Sequence, residues 1–243
     1  MRKQYFIKVF FVYFGFISSS AFSDDFPFEV GERLEYIAKF NFIPAGKAFL
    51  NVVSIDTINN QPAFHVQYEA RTGPIADRLY KIRDYVDSWL DEKEFFTHKQ
   101  TKNLRQGNYK FTSKTYIMYD DSIAIVNNDT ISIQSRLYDP YSLFYYFRTL
   151  ELIPGETMDL TVFDNKSLTE FQMIITEKES ILVPAGRFNC ISVRPFREGK
   201  TLLKNEGDMT IWFSDDDHKI PIQIKLKIKY GTMVMKLKKI NLK

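Results

Sequence analysis

The sequence predicts a mainly β fold: a single large, antiparallel, strongly curved sheet, or an open or partly closed barrel, with one or two short covering helices. Apolar and polar residues alternate with period two through most of the chain after Gly31, as they do in half-buried strands. These runs are short and separated by clusters of Gly, Asn, Asp and Pro, which favours a meander of neighbouring strands. The composition is 44% hydrophobic and 16% aromatic with 22 Phe and 14 Tyr, enough bulky side chain to build a core without disulfides.

The first segment does not belong to that fold. Arg2, Lys3 and Lys8 precede an apolar and aromatic run from Val9 to Phe16, and small residues follow through Ser23, the three-part layout of a secretory signal. Cleavage is expected after Ser23, leaving residues 24–243 as a single β domain. The apolar run is too short to span about 30 Å of hydrocarbon, and no later stretch reaches spanning length. No Cys lies near the cleavage point, so the lipid-attachment pattern of a lipoprotein is absent. A soluble exported protein is the expectation. Removing the signal takes three of 33 basic residues and none of 30 acidic ones, so 30 face 30 and the mature chain is neutral. That balance argues against nucleic acid as a partner.

In chain order, Leu34, Tyr36, Ala38 and Phe40 alternate with Glu35, Ile37, Lys39 and Asn41, giving one apolar and one mostly polar face. Ile43-Pro44-Ala45-Gly46 is predicted to reverse the chain into a strand over Lys47 to Ile55. Strands are then predicted over Ala63 to Arg71, Lys81 to Leu90, Phe95 to Lys102, Tyr109 to Tyr119, Ser122 to Val126 and Thr130 to Arg136. Two segments break the rhythm. Thr72 or Gly73 caps a short helix over Pro74 to Tyr80, and Asp139-Pro140 starts a longer one through Leu150. Strands resume over Thr157 to Phe163, Glu170 to Leu182, Phe188 to Pro195, Asp208 to Phe213, Ile220 to Tyr230 and Thr232 to Ile240. In Ile222 to Lys229 the alternation is nearly perfect, so the lysines face water while Ile and Leu face the core.

Ile43-Pro44-Ala45-Gly46-Lys47 is echoed by Val183-Pro184-Ala185-Gly186-Arg187. Both are read as hairpin turns with Gly in a left-handed position, two independent uses of one turn in preference to a duplicated half-sheet. The lone cysteine, Cys190, lies in an alternating run with no histidine nearby in sequence and is read as a buried, inert thiol.

Gly31-Glu32-Arg33-Leu34-Glu35-Tyr36, Ile43-Pro44-Ala45-Gly46, Asp139-Pro140-Tyr141-Ser142, Pro184-Ala185-Gly186-Arg187-Phe188 and Trp212 to Asp216 with Ile220-Pro221 together resemble the domain of unknown function 3108 family of bacterial exported proteins. The resemblance runs from about residue 28 to the C-terminus. It implies a periplasmic or envelope β protein without an assigned reaction, and it transfers no catalytic residue. A looser likeness to the open half-barrels that carry lipoproteins across the periplasm implies a hydrophobic cradle, as fold analogy only.

No constellation specifies catalysis, a cofactor or a metal. Carboxylates in Ser214-Asp215-Asp216-Asp217-His218 could gather around a hard cation, but the ligand spacing and glycine of a calcium loop are missing, so the cluster reads as a solvated acidic turn. Asp84, Asp87 and Asp91 surround Trp89; on a strand Asp87 and Asp91 share its face and Asp84 points the other way. His65, His98 and His218 lack zinc-site spacing. Lys236, Lys238, Lys239 and Lys243 read as protection of a sheet edge, rather than a headgroup-binding row. The leading functional reading is a non-enzymatic envelope protein that binds or scaffolds a lipid-like molecule or a partner protein, with Trp89, Tyr145 and Trp212 as candidate contacts. The alternatives are a carboxylate-dependent hydrolase of envelope glycan or peptide, using Asp84, Asp87, Asp215 and Asp216 converging in one concave site, and a purely structural interaction module.

Overall fold

The computed structural model describes residues 26–196 and 208–242, so the predicted signal lies outside the described residues. Fourteen strands form one antiparallel sheet. The first meander comprises β1 (Arg33–Phe40), β2 (Ile43–Ile58), β3 (Gln61–Thr72), β4 (Arg83–Asp91), β5 (Thr97–Gln106), β6 (Tyr109–Met118), β7 (Ile123–Val126) and β8 (Asp129–Ser132). The second comprises β9 (Thr157–Asp164), β10 (Ser167–Val183), β11 (Gly186–Phe196), β12 (Asp208–Ser214), β13 (Pro221–Ile228) and β14 (Gly231–Asn241). Strand β1 pairs with β14, so the meanders join into the order β8 to β1, then β14 to β9.

The sheet curves strongly and stays open between β8 and β9. The connection after β8 crosses that opening: Thr97 N donates to Leu137 O at 2.8 Å, and Phe163 N donates to Tyr138 O at 2.8 Å. It carries helix α2 (Leu143–Tyr146), continued as a 3-10 turn over Phe147–Thr149, in place of one helix through Leu150. Asp139 explains the start. Its Oδ1 accepts from Tyr141 N at 2.8 Å and Ser142 N at 3.2 Å, and its Oδ2 accepts from Thr97 Oγ1 at 2.9 Å, so the chain turns before the helix begins.

Helix α2 is buried between the two halves of the sheet. Leu143 and Phe147 pack with Val162, Ile175, Val193, Ile211, Phe213 and Ile224 of the second meander. Tyr145 packs with Phe28, Val52, Phe64, Val66, Leu90 and Phe95 of the first. Phe144 touches both groups and a third built on Leu34, Tyr36, Leu50, Trp212, Ile222 and Leu237. The other predicted helix is α1 (Pro74–Asp77), which buries no residue and covers nothing.

Two turn readings change. The first reversal falls at Asn41-Phe42, both at positive φ (46° and 71°), as a two-residue hairpin turn requires. Ile43 to Gly46 already belong to β2, where a Cβ on Gly46 would overlap the Arg71 carbonyl oxygen of β3. Its echo is a true turn, with Gly186 at φ 138°. The repeated phrase therefore does two jobs, close strand approach in one place and reversal in the other. The lysine row also changes meaning, because β14 is paired on both sides and is no edge. Lys238 instead pairs with Glu35 at 3.1 Å, and Lys236 Nζ donates to Leu182 O at 3.2 Å; Lys243 lies outside the described residues.

Candidate functional site

Directly paired residues of an antiparallel sheet project to the same face, so register assigns each side chain its side. Ile224 pairs with Met235, and both turn toward the core with Tyr36 and Leu237. Their neighbours along the strands face outward: Ile37 pairs with Lys236, Lys39 with Val234, Lys225 with Val234, and Gln223 with Lys236. Hairpin β10–β11 extends past the end of β12 and bends back, its Ala185 N donating to Leu237 O at 3.1 Å. Between its tip and this outer face lies a groove of about 620 Å³, lined by Ile37, Leu182, Val183, Pro184 and Val234, with Lys39, Lys225 and Lys236 among them. Its surface is mostly apolar. Asn41 and Phe42 line it where it reaches the β1–β2 turn.

Electrostatically the groove is one-signed. No acidic side chain lines it, and among the described residues neither Lys39 nor Lys225 forms an ion pair. An apolar trough with ammonium groups along it suits an amphiphile with a hydrocarbon part and an anionic part.

The core-facing surface is not such a trough. Over β4–β6 it is polar: Asp84, Ser88, Gln100, Lys102, Ser113 and Thr115 are all buried. Lys102 pairs with Asp164 and lies 6.0 Å from the ring centre of Tyr141. Burial raises the pKa of Asp84 and of Asp139 above the ordinary aspartate value.

Of the candidate ligand contacts, Tyr145 is buried with its hydroxyl donating to Asn51 O at 3.1 Å. Trp212 is buried in the cluster of Tyr36 and Leu237 and donates its indole N–H to Glu179 at 2.5 Å. Trp89 lies on the outer face of β4, stacked on His65 at 4.4 Å with Lys99 Nζ 3.9 Å from its ring centre. The three do not converge on one site.

Nor do the four carboxylates. Asp84 faces inward and accepts from Arg105 N and Gln106 Nε2, whereas Asp87 faces outward and accepts from His65 and Gln67, which lower its pKa. Asp215 and Asp216 sit in the β12–β13 turn, where Asp215 accepts from Lys178 at 2.8 Å. Asp216 accepts from Ser214 Oγ and from the backbone N–H groups of His218 and Lys219. Among the described residues no group of three or more His, Cys, Asp or Glu is placed to hold a metal ion. The Cys190 thiol is buried, which pushes its pKa up to about 12.

Sequence reading missed the groove residues, although two signals existed. Ile37 and Val234 are apolar on faces that are otherwise polar, and Phe42 occupies a turn position where Asn or Gly is usual. It also missed the pairing of Glu32 with Arg148, 3% and 1% exposed, whose side chains meet in a two-pronged contact of 2.5 and 2.9 Å. Arg148 also donates to Pro27 O and His218 O, tying the N-terminal strap and the β12–β13 turn to the buried helix.

A family model described as a protein of unknown function, DUF3108, matches residues 35–238. No curated protein matches. Among solved structures, a β-barrel-like protein of the unknown-function family DUF1849 from Brucella abortus superposes with a TM-score of 0.58 at 8% identity, covering 88% of this chain and 98% of its own. A candidate lipoprotein from Parabacteroides distasonis matches at TM-score 0.41 and 13% identity, over 89% of this chain and 97% of its own. A candidate exported protein with a YmcC-like fold from Bacteroides fragilis matches at 0.33 and 12%, over 89% and 98%. The first supports the open, barrel-like sheet.

Proposed function

We propose, for a chain that belongs to the DUF3108 family of proteins of unknown function, a non-enzymatic binding role in the bacterial envelope: its outer groove holds the apolar part of a lipid-like anion. The observation carrying this reading is the mostly apolar groove of about 620 Å³ with Lys39, Lys225 and Lys236 in its lining and no acid. Its volume falls within the roughly 300–1,000 Å³ of ordinary ligand pockets. Export to the periplasm as one domain, residues 24–243, fits this role, because an envelope protein meets amphiphiles at every turn. The secretory layout of the first 23 residues and the single unbroken match over residues 35–238 support that assignment.

The hydrolase reading finds no support, since Asp84 and Asp87 project to opposite faces and Asp215 and Asp216 serve a turn. A purely structural role leaves the groove unexplained.

The test is lipid mass spectrometry on protein recovered from its envelope, beside a Leu182→Glu, Val234→Glu variant that places two carboxylates in the groove. Leu182 is exposed and Val234 half-buried, so the fold tolerates both. The wild type is expected to carry an anionic amphiphile and the variant to lose it. No bound amphiphile on the wild type, or equal amounts on both, refutes the reading.

A further inference from the structure

In a sheet whose neighbours are all antiparallel, alternate turns share an end, so topology alone sorts the loops into two sets. Among the described turns, one end gathers β1–β2, the 73–82 connection, β5–β6 and β13–β14, with β7–β8 and β9–β10 at the same end toward the two open edges of the sheet. Their tips expose large apolar side chains singly rather than as a packed patch: Phe42 is 94% exposed, Leu79 86%, Tyr230 77% and Ile75 74%. Ile75 and Leu79 are four residues apart in the α1 connection, so one local face presents both.

Charge follows the same division. In the four turns nearest β1 the only acid is Asp77, which pairs with Arg83 at 2.6 Å, whereas Arg78, Lys81 and Lys229 are exposed; at the same end the outlying turns add Asp129, paired with Lys166, and Asp164, paired with Lys102. The opposite end carries Glu92 and Glu94, Asp120 and Asp121, and Asp215 to Asp217 in its turns. Charge is thereby divided unequally between the two ends. Phe42 adds a third observation: a bulky aromatic at φ 71°, held where Asn or Gly would be relaxed, and turned into solvent. Strain of that kind persists where the side chain has work at the tip.

We propose that this end docks on an anionic lipid bilayer, with Phe42, Ile75, Leu79 and Tyr230 entering the interfacial zone and Arg78, Lys81 and Lys229 lying against the headgroups. Separated apolar tips suit a deformable interface, into which each sinks independently, and aromatic side chains favour that depth. Basic groups around them add attraction to anionic headgroups, and the acidic end is repelled, which fixes orientation. Phe42 also lines the groove, but Ile75, Leu79 and Tyr230 do not, so the inference needs no ligand bound there.

The experiment is sedimentation of the purified protein with phosphatidylcholine vesicles, with and without phosphatidylglycerol, at low and high salt. Binding is expected on the phosphatidylglycerol vesicles, fading with salt as surface charge is screened. The Ile75→Ser, Leu79→Ser variant, altered only at exposed tips outside the groove, is expected to bind about tenfold more weakly at least, since two large apolar groups no longer leave water. A second readout uses Phe42→Trp, whose fluorescence is quenched by brominated lipid if the tip enters the bilayer. Equal binding by variant and wild type, equal binding to both vesicles, absence of binding, or an unquenched Phe42→Trp overturns the proposal.

Discussion

Replacing Glu32 with Gln removes one charge from a pair that water cannot reach. Arg148 is 1% exposed and Glu32 3%, and the guanidinium makes four polar contacts: Nη1 and Nη2 to the two Glu32 oxygens, Nη2 to Pro27 O at 2.7 Å and Nε to His218 O at 2.9 Å. A guanidinium stays protonated under all ordinary conditions, so Glu32→Gln leaves a buried cation facing only neutral acceptors. Breaking a buried pair in this way costs about 3–5 kcal/mol, against total stabilities of roughly 5–15 kcal/mol for single domains. Glu32→Met with Arg148→Met removes both charges and is expected to be less destabilised than the sum of the single changes, because no ion is stranded. Urea unfolding followed by tyrosine fluorescence measures both, with the midpoint falling and the slope unchanged. A loss for Glu32→Gln below about 1 kcal/mol, the scale of an exposed pair, refutes the reasoning. So does a double variant no better than additive.

Three further outcomes follow from local geometry. Gly46→Ala is expected to cost about 1–3 kcal/mol because its Cβ meets the Arg71 backbone, whereas Gly73→Ala, with nothing within 4 Å, leaves the urea midpoint unchanged or slightly raised. Burial raises the pKa of Asp139 above its unfolded value, so its contribution to stability is full below the unfolded pKa and lost as pH rises through the folded one; Asp139→Asn is expected to flatten the midpoint-against-pH curve across that window. Cys190, with its thiol pushed up to about 12, is expected to resist an aromatic disulfide reagent at mildly alkaline pH until denaturant opens the fold, and prompt labelling of the folded protein contradicts that burial.

Period-two alternation made the strands legible, because between bulges a residue's face follows its parity within a strand. Ile224 is buried and Lys225 exposed, as the Ile222 to Lys229 pattern predicts, and Leu34 and Tyr36 are buried. Asp84 and Asp87 likewise point opposite ways on β4. Turn chemistry was legible only where a residue has one use. The Asn-Asn turn at 59–60 was not singled out from the sequence, and Pro-Ala-Gly serves as strand in one place and turn in another, where only the neighbouring chain at Arg71 decides which.

The sequence by itself determined a mainly β chain, the facing of residues in its regularly alternating strands, a buried lone thiol and the position of the helical interruption after Asp139. The tertiary structure decided that β1 pairs with β14, which turns a presumed edge into an interior strand and frees its lysines for another use. It also decided that Glu32 meets Arg148 across 116 residues, and that Phe42, Leu79 and Tyr230 share one end. These are relations between residues far apart in the chain. Alternation carries information about one strand at a time, whereas a site or a docking rim depends on which strands become neighbours.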